Sequence, residues 1–174
     1  LKIDHLPKTL LVLGGGIIGS EYASFFAALG TEVTVVDKRD HLLPSLDAEI
    51  GLHLQKALGE LGLQMLGRKE PKEIRRVGNH AEVKFNDGTE LKAEMLLYAL
   101  GREGNVSELQ IEKAGGKITQ QGYVQVNGVF QTEVSHIYAA GDVIGGPSLA
   151  ATSMGQGRLA AWHAFGEETH EFPT

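Results

Sequence analysis

The stretch that most constrains this chain is Thr9-Leu-Leu-Val-Leu-Gly-Gly-Gly-Ile-Ile-Gly-Ser-Glu-Tyr22. An apolar run, Leu10 to Leu13, has the composition of a strand buried on both faces. It enters a glycine turn, and an amphipathic pattern leaves that turn. Gly14, Gly16 and Gly19 fit G-x-G-x-x-G, and each has a physical task. Gly14 makes the tight turn, Gly16 lets a pyrophosphate approach the backbone, and Gly19 lets the helix lie close to the strand. The unpaired N–H groups and positive dipole end of that helix would face the phosphates. A second apolar strand, Glu32-Val-Thr-Val-Val-Asp37, follows, and its terminal Asp37 lies 18 positions beyond Gly19. About 20 is the interval expected for the acid that receives ribose hydroxyls. Strand, loop, helix, strand and acid in that order predict a dinucleotide site; the alternative is a βαβ unit that binds nothing.

The remaining pattern predicts an α/β fold with a Rossmann-like parallel sheet. The first helix is expected over 18–29, with Ile18, Tyr22, Phe25, Phe26 and Leu29 facing the sheet. A second helix is expected over 47–61, with Ile50, Leu54, Leu58 and Leu61 as its apolar set, and a short third strand over 63–66. Segments 73–77, 81–85 and 90–93 are then short and of mixed polarity, joined by Gly78-Asn79 and Asn86-Asp87-Gly88. Asn or Asp beside Gly between such segments signals hairpins, so an antiparallel meander is expected where a plain doubly wound fold places a crossover helix. It delivers the chain to a further buried parallel strand, 94–100, and a second glycine turn, Gly101-Arg-Glu-Gly-Asn105. A short helix or loop (107–116), a small hairpin (117–126), a strand (136–139) with its exit at Gly141-Asp142, and a last helix (149–165) complete the reading.

Composition narrows the function classes. The 174 residues suffice for one good core, or one domain and part of another. Sixteen Lys and Arg against 22 Asp and Glu give a net charge of −6 with no basic run, which gives no support for nucleic-acid binding. The absence of cysteine removes disulfides, thiolate metal sites and a cysteine nucleophile from these residues and suits a reducing compartment; a cytoplasmic location is expected. No apolar stretch approaches the ~20 residues that span a bilayer, so no membrane partner is expected. The chain starts at Leu1, and its lead-in segment and Phe172-Pro-Thr174 read as cut ends of a longer protein.

Five blocks stand in one order: GGGIIGSE, VTVVDK, ALGREGN, HIYAAGD and PSLAATSMGQGR. Together they resemble the flavoprotein pyridine nucleotide–disulfide oxidoreductase family over nearly the whole chain. Gly101 to Asn105, Asp142 to Ala150 and Gln156-Gly-Arg158 resemble the transhydrogenating branch of that family more than its dihydrolipoamide dehydrogenases. The resemblance implies an NAD(P) domain over 1–131 and, over 132–174, a returning strand and helix of a split FAD domain. The other FAD half and an interface domain are expected outside these residues. It implies NAD, NADP and, in the full-length protein, FAD as cofactors, a homo-oligomer, and hydride passing from NADPH to NAD through flavin. The 174 residues alone are expected to be inactive, with no catalytic side chain and no metal site among them.

The resemblance also assigns roles by position. Gly14, Gly16, Ile17, Ile18 and Gly19 would hold the pyrophosphate and lead to the nicotinamide, Ile17 as a gate; helix packing is its plainer reading. Glu21 would reach the nicotinamide carboxamide, or would merely suit the helix dipole. Asp37 would accept from the adenosine ribose, where NAD-preferring relatives usually carry glutamate. Lys38 and Arg39 would pair with a 2′-phosphate, or would be a solvated loop. Gly101 and Arg102 would lie beneath the NAD ribose. Gly141 and Asp142 would form the turn on the flavin ribityl chain, with turn capping as the alternative for Asp142. Leu149 and Ala150 would open a helix near the flavin pyrimidine edge. Two other patterns carry little. Gly146-Pro-Ser-Leu-Ala150 falls one residue short of a nucleophile elbow and follows no strand. His163, Glu167 and His170 have helical spacing but straddle Gly166.

Overall fold

A computed structural model describes residues 3–167. The chain divides into two compact units, Leu1–Gly101 and Arg102–Thr174.

The first unit is built on β1 (Thr9–Leu13), whose alternate side chains point to opposite faces. It pairs in parallel with β2 (Glu32–Val36) on one side and β7 (Met95–Tyr98) on the other; β3 (Gln64–Leu66) extends the sheet beyond β2. The order is β3-β2-β1-β7. Leu10 and Val12 join Val33 and Val35 beneath α1 (Ile17–Ala28) and α2 (Ala48–Glu60), where Ala23, Phe26, Ala27, Leu42, Leu58 and Leu63 complete one core. Leu11, Leu13 and Val36 point the other way. They meet Val83, Phe85 and Ala93 of an antiparallel sheet made of β4 (Pro71–Val77), β5 (His80–Phe85) and β6 (Glu90–Ala93). The meander thus covers the face that a crossover helix would otherwise cover, as expected. Burying each large apolar side chain contributes about 1.5–3 kcal/mol, so β1, apolar on both faces, ties the two cores together.

Three local expectations are corrected. On α1 the buried residues are Gly19, Ser20, Ala23, Phe26 and Ala27, whereas Phe25 and Leu29 stay 60% and 65% exposed and Ile18 is exposed as well. At Gly19 the helix lies too close to the glycine turn and Val12 for any side chain, while Phe26 fills the inner face farther along. On α2, Ile50 and Leu61 are likewise exposed, and Leu54 and Leu58 face the core. Strand β7 is only half-buried, since it forms the edge of the sheet.

The second unit has little regular structure before its helix. Two 3-10 turns, Ser107–Leu109 and Ile111–Ala114, precede a hairpin closed by a single bridge between Ile118 and Val124. The strand expected over 136–139 is absent as a strand: Tyr138 makes one isolated bridge, to Gln131. A strand exists only through its ladder, and these residues find no second neighbour among the described residues of their unit. A 3-10 turn, Gly141–Ile144, then leads to α3 (Ala150–Ala164). Among the described residues no helix is long and apolar enough to cross a membrane.

Candidate functional site

The first unit carries an open cleft of ≈470 Å³ at the carboxyl ends of β1, β2 and β7. Its wall includes Gly14, Gly16, Asp37, Lys38, Arg39, Leu100 and Gly101, drawn from distant parts of the sequence. The glycine turn forms one side. Gly14 has φ +106°, and an added Cβ would stand 2.4 Å from the Ala99 carbonyl oxygen, so only glycine fits there. Its N–H donates to the Val36 carbonyl at 2.8 Å, closing the turn onto β2. Gly19 meets the same limit from the helix side: its Cβ would lie 1.8 Å from the Gly14 carbonyl oxygen. Gly16 differs. It is the N-cap of α1 in extended backbone, and a Cβ there would meet nothing within 4 Å. The open space over Gly16 faces a helix N-terminus with no side-chain cap and no acidic residue in its first turn. The first N–H groups of α1 thus receive neither a side-chain cap nor an acid from the helix's own first turn.

Ile17 and Ile18 are the first two residues of α1, and both are exposed, so packing within this unit does not account for them. Glu21 is the fifth residue of the helix, beyond its first turn, and is exposed. The dipole therefore gives it little reason to be there. Gly101 lines the cleft, and Arg102 begins the second unit.

Asp37 is the most constrained polar side chain of the cleft. Its Oδ2 accepts from the Gly15 N–H at 2.8 Å, and its Oδ1 from the Arg39 N–H at 2.9 Å. The Arg39 guanidinium donates to both oxygens, Nε to Oδ1 at 2.8 Å and Nη2 to Oδ2 at 3.0 Å. Burial by itself would raise the Asp37 carboxyl. The Arg39 side chain, the two backbone N–H groups and the Arg39 charge together outweigh it and hold the carboxyl below its usual range. The guanidinium is correspondingly held above its ordinary value by Asp37. The sequence left Lys38 and Arg39 as phosphate ligands or solvated loop; the structure turns Arg39 onto the acid, while Lys38 is exposed on the cleft wall.

Some residues at the cleft wall or directly behind it were not singled out by the sequence. Gly15, the middle glycine, is the turn's hub: it donates to Asp37, and its carbonyl accepts from the Leu43 N–H at 2.7 Å and the Ser20 hydroxyl at 3.2 Å. Lys69, Glu70 and Asn86 come from the approach to β4 and the β5–β6 turn. Lys69 is paired with Asp87 and bonded to the Thr89 hydroxyl. Only the three-glycine run marked Gly15; Lys69 and Glu70 fall between the expected strands 63–66 and 73–77, and Asn86 was read as a hairpin turn residue.

In the second unit, the buried Gln156 of α3 accepts the Gly141 N–H at 2.7 Å and so fixes the turn that presents Asp142. Asp142 is exposed and pairs with Arg102 at 3.2 Å. Leu149 is the N-cap of α3 and Ala150 its first residue, again with no side-chain cap and no acidic residue in the first turn. Ser148 precedes that helix and is not placed on a strand-to-helix elbow. His163 is bonded through Nδ1 to the Tyr138 hydroxyl at 2.8 Å; His170 lies outside the described residues. Among the described residues no group of three His, Asp or Glu side chains is placed to hold a metal.

Comparison with known proteins agrees with this architecture. The sequence profile of the pyridine nucleotide-disulphide oxidoreductase family matches residues 1–157. The soluble pyridine nucleotide transhydrogenase of Mycobacterium bovis (strain BCG / Pasteur 1173P2) is 46% identical over 170 residues, 97% of this chain and 36% of that protein. The protein of the same name from Ectopseudomonas mendocina is 42% identical over 92% of this chain and 35% of its own length. The chain thus spans about a third of the length of the curated relatives it matches. Among solved structures, LpdA of Mycobacterium tuberculosis superposes with a TM-score of 0.91 at 34% identity, covering 98% of this chain and 37% of that one. The HOCl-induced flavoprotein disulfide reductase RclA of Escherichia coli gives 0.88 at 29%, covering 98% and 39%. With its sequence matched along most of its length and its fold shared with these solved structures, the chain belongs to the pyridine nucleotide-disulphide oxidoreductase family.

Proposed function

We propose that this chain is the NAD(P)-binding part, with a returning segment of the FAD domain, of an oxidoreductase that moves hydride between NADPH and NAD. The observation that carries the reading is the space over Gly16: a backbone that any residue could adopt, opening on an uncapped helix N-terminus, inside a cleft bounded by Asp37 and Arg39. A dinucleotide pyrophosphate fits that combination of free N–H groups and room. On this reading Ile17 and Ile18 lead toward the nicotinamide, Glu21 reaches its carboxamide, and Gly101 lies beneath the adjoining ribose. The NAD(P) domain extends over 1–131, and 132–174 belongs with FAD.

The second unit offers a flavin two features of its own, the carboxylate of Asp142 on a turn fixed by Gln156 and the uncapped amino end of α3 at Leu149 and Ala150. Bound flavin would supply the two-electron carrier between the nicotinamides. The residues here bind, orient and tune; none acts as acid or base. The full-length protein is proposed to be a cytoplasmic homo-oligomer, and the 174 residues alone to bind nucleotide without turnover.

Calorimetric titration with NADH, NADPH and ADP-ribose tests the reading. One saturable site per chain is expected for each, and no binding of any of them overturns it. A disulfide reductase acting with NADH is the second reading, favoured by the name of the RclA protein. A pair of redox cysteines in the full-length reading frame decides for it, and their absence against it.

A further inference from the structure

Resting on the dinucleotide reading, we propose that Arg39 is a two-position selector for the adenosine 2′ substituent. It covers Asp37 when the nucleotide brings a 2′-phosphate and withdraws from Asp37 when the nucleotide brings a 2′-hydroxyl, so that one site takes both NADP and NAD.

The argument begins with the acceptor capacity of Asp37. A carboxylate has about four lone-pair sites, and four N–H donors fill them here: those of Gly15 and Arg39 from the backbone, and Nε and Nη2 of the guanidinium. While Arg39 holds this position, a ribose hydroxyl finds no free acceptor. The acid that the sequence marks as the ribose ligand is masked, and the group presented to the cleft in its place is a cation. The Asp37 side chain is 2% exposed and that of Arg39 48% exposed. A guanidinium has five N–H donors, so about three remain to face the cleft after two go to Asp37. With the Asp37 charge neutralised at contact distance, a 2′-phosphate meets those donors and the neighbouring ammonium of Lys38 without the repulsion that a bare carboxylate would exert. The other carboxylate on the cleft wall, Glu70, has Asn86 as its partner at 3.5 Å.

The second position needs only a side-chain movement. The two backbone N–H groups pin the carboxylate whether or not the guanidinium is present. When the half-exposed guanidinium leaves, about two acceptor sites open on a carboxylate already oriented, the number that a pair of vicinal ribose hydroxyls needs. The selector is therefore a competition within one ion pair, and it requires no backbone change.

NADH and NADPH fluorescence titrations, with calorimetry of 5′-ADP and 2′,5′-ADP, test this on the 174-residue chain and its variants. Arg39→Ala is expected to weaken NADPH and 2′,5′-ADP by about ten- to a hundredfold, the range of a lost charge-assisted contact. NADH and 5′-ADP should be unchanged or bound more tightly, because nothing must be displaced. Asp37→Asn should do the reverse, weakening NADH several-fold and leaving NADPH unchanged or tighter. Arg39→Gln, which keeps a donor for Asp37, replaces Arg39→Ala if circular dichroism shows that variant misfolded, with the same NADPH-selective loss expected. Equal loss for both nucleotides on changing Arg39, or none, overturns the selector and leaves the dinucleotide site standing. Failure of the unaltered chain to bind any of the four ligands removes the site and the selector together.

Discussion

Two glycines three positions apart are predicted to fail in opposite ways. At Gly16 the backbone is extended (φ −74°, ψ −171°), and an added Cβ meets nothing within 4 Å. Gly16→Val therefore leaves the fold nearly intact; valine is a poorer N-cap than glycine, a cost of roughly 1 kcal/mol or less. The same side chain would fill the space through which, on the proposed reading, a pyrophosphate approaches. Binding of NADH should fall at least about a hundredfold, or ~2.7 kcal/mol. At Gly19 the added Cβ would stand 1.8 Å from the Gly14 carbonyl oxygen, a backbone atom inside the turn. Gly19→Ala can be accommodated only by lifting α1 off β1, an overpacking cost of about 1–3 kcal/mol or more, which corresponds to a fall in Tm of roughly 2–12 °C. Thermal melting by circular dichroism and NADH calorimetry on both variants separate the effects. A Gly16→Val chain that binds NADH like the unaltered one refutes the reasoning at the pyrophosphate. A Gly19→Ala chain that melts with the unaltered one refutes it at the helix.

Acid stability should depend on Asp37. A carboxyl depressed in the folded chain adds stability that is fully present above its unfolded value of about 3.9 and is lost as pH falls through the folded value. Below about pH 4 the Tm of the unaltered chain should thus drop more steeply than that of Asp37→Asn, as melts across that range would show. Phe85→Ala, which empties the core between the meander and the parallel sheet, should destabilise by about 3–5 kcal/mol in urea unfolding. Gln156→Leu orphans the Gly141 N–H at a cost of about 1–3 kcal/mol, whereas Gln156→Glu, which keeps the acceptor, should recover most of the lost Tm.

The sheet, the meander and the glycine turn were legible because each is encoded locally, by an apolar run, by Asn-Asp-Gly turns and by glycine spacing. The inner face of α1 was not. The hydrophobic pattern points to Ile18, Phe25 and Leu29 as well as Phe26, but the buried face is Gly19, Ser20, Ala23, Phe26 and Ala27, and the close approach at Gly19 leaves no mark in a hydrophobicity pattern. The strand expected at 136–139 fails for a related reason: its apolar residues report the capacity to pair, and pairing depends on a neighbour. At the cleft, the sequence located Asp37, Lys38 and Arg39 but not their contacts. Whether adjacent opposite charges face a ligand or each other depends on a few side-chain torsions, and only the hydrogen-bond geometry at Asp37 distinguishes them.

The loop between β2 and α2 limits how this chain can be re-engineered. Leu42 is fully buried, within reach of a Cβ on Gly15, and its carbonyl lies where a Cβ on Gly51 would be. Leu43, at φ 51°, donates its N–H to the Gly15 carbonyl, while Asp37 accepts the Gly15 N–H. The segment that bears Asp37, Lys38 and Arg39 is thus bolted to the glycine turn. Point exchanges at Lys38 and Arg39 leave that joint undisturbed. A grafted loop from a relative of opposite preference must bring its own equivalents of Leu42 and Leu43, or it will shift the glycine turn and weaken both nucleotides together. On the proposed reading, cofactor preference would be modular at the level of single side chains, but not at the level of the loop.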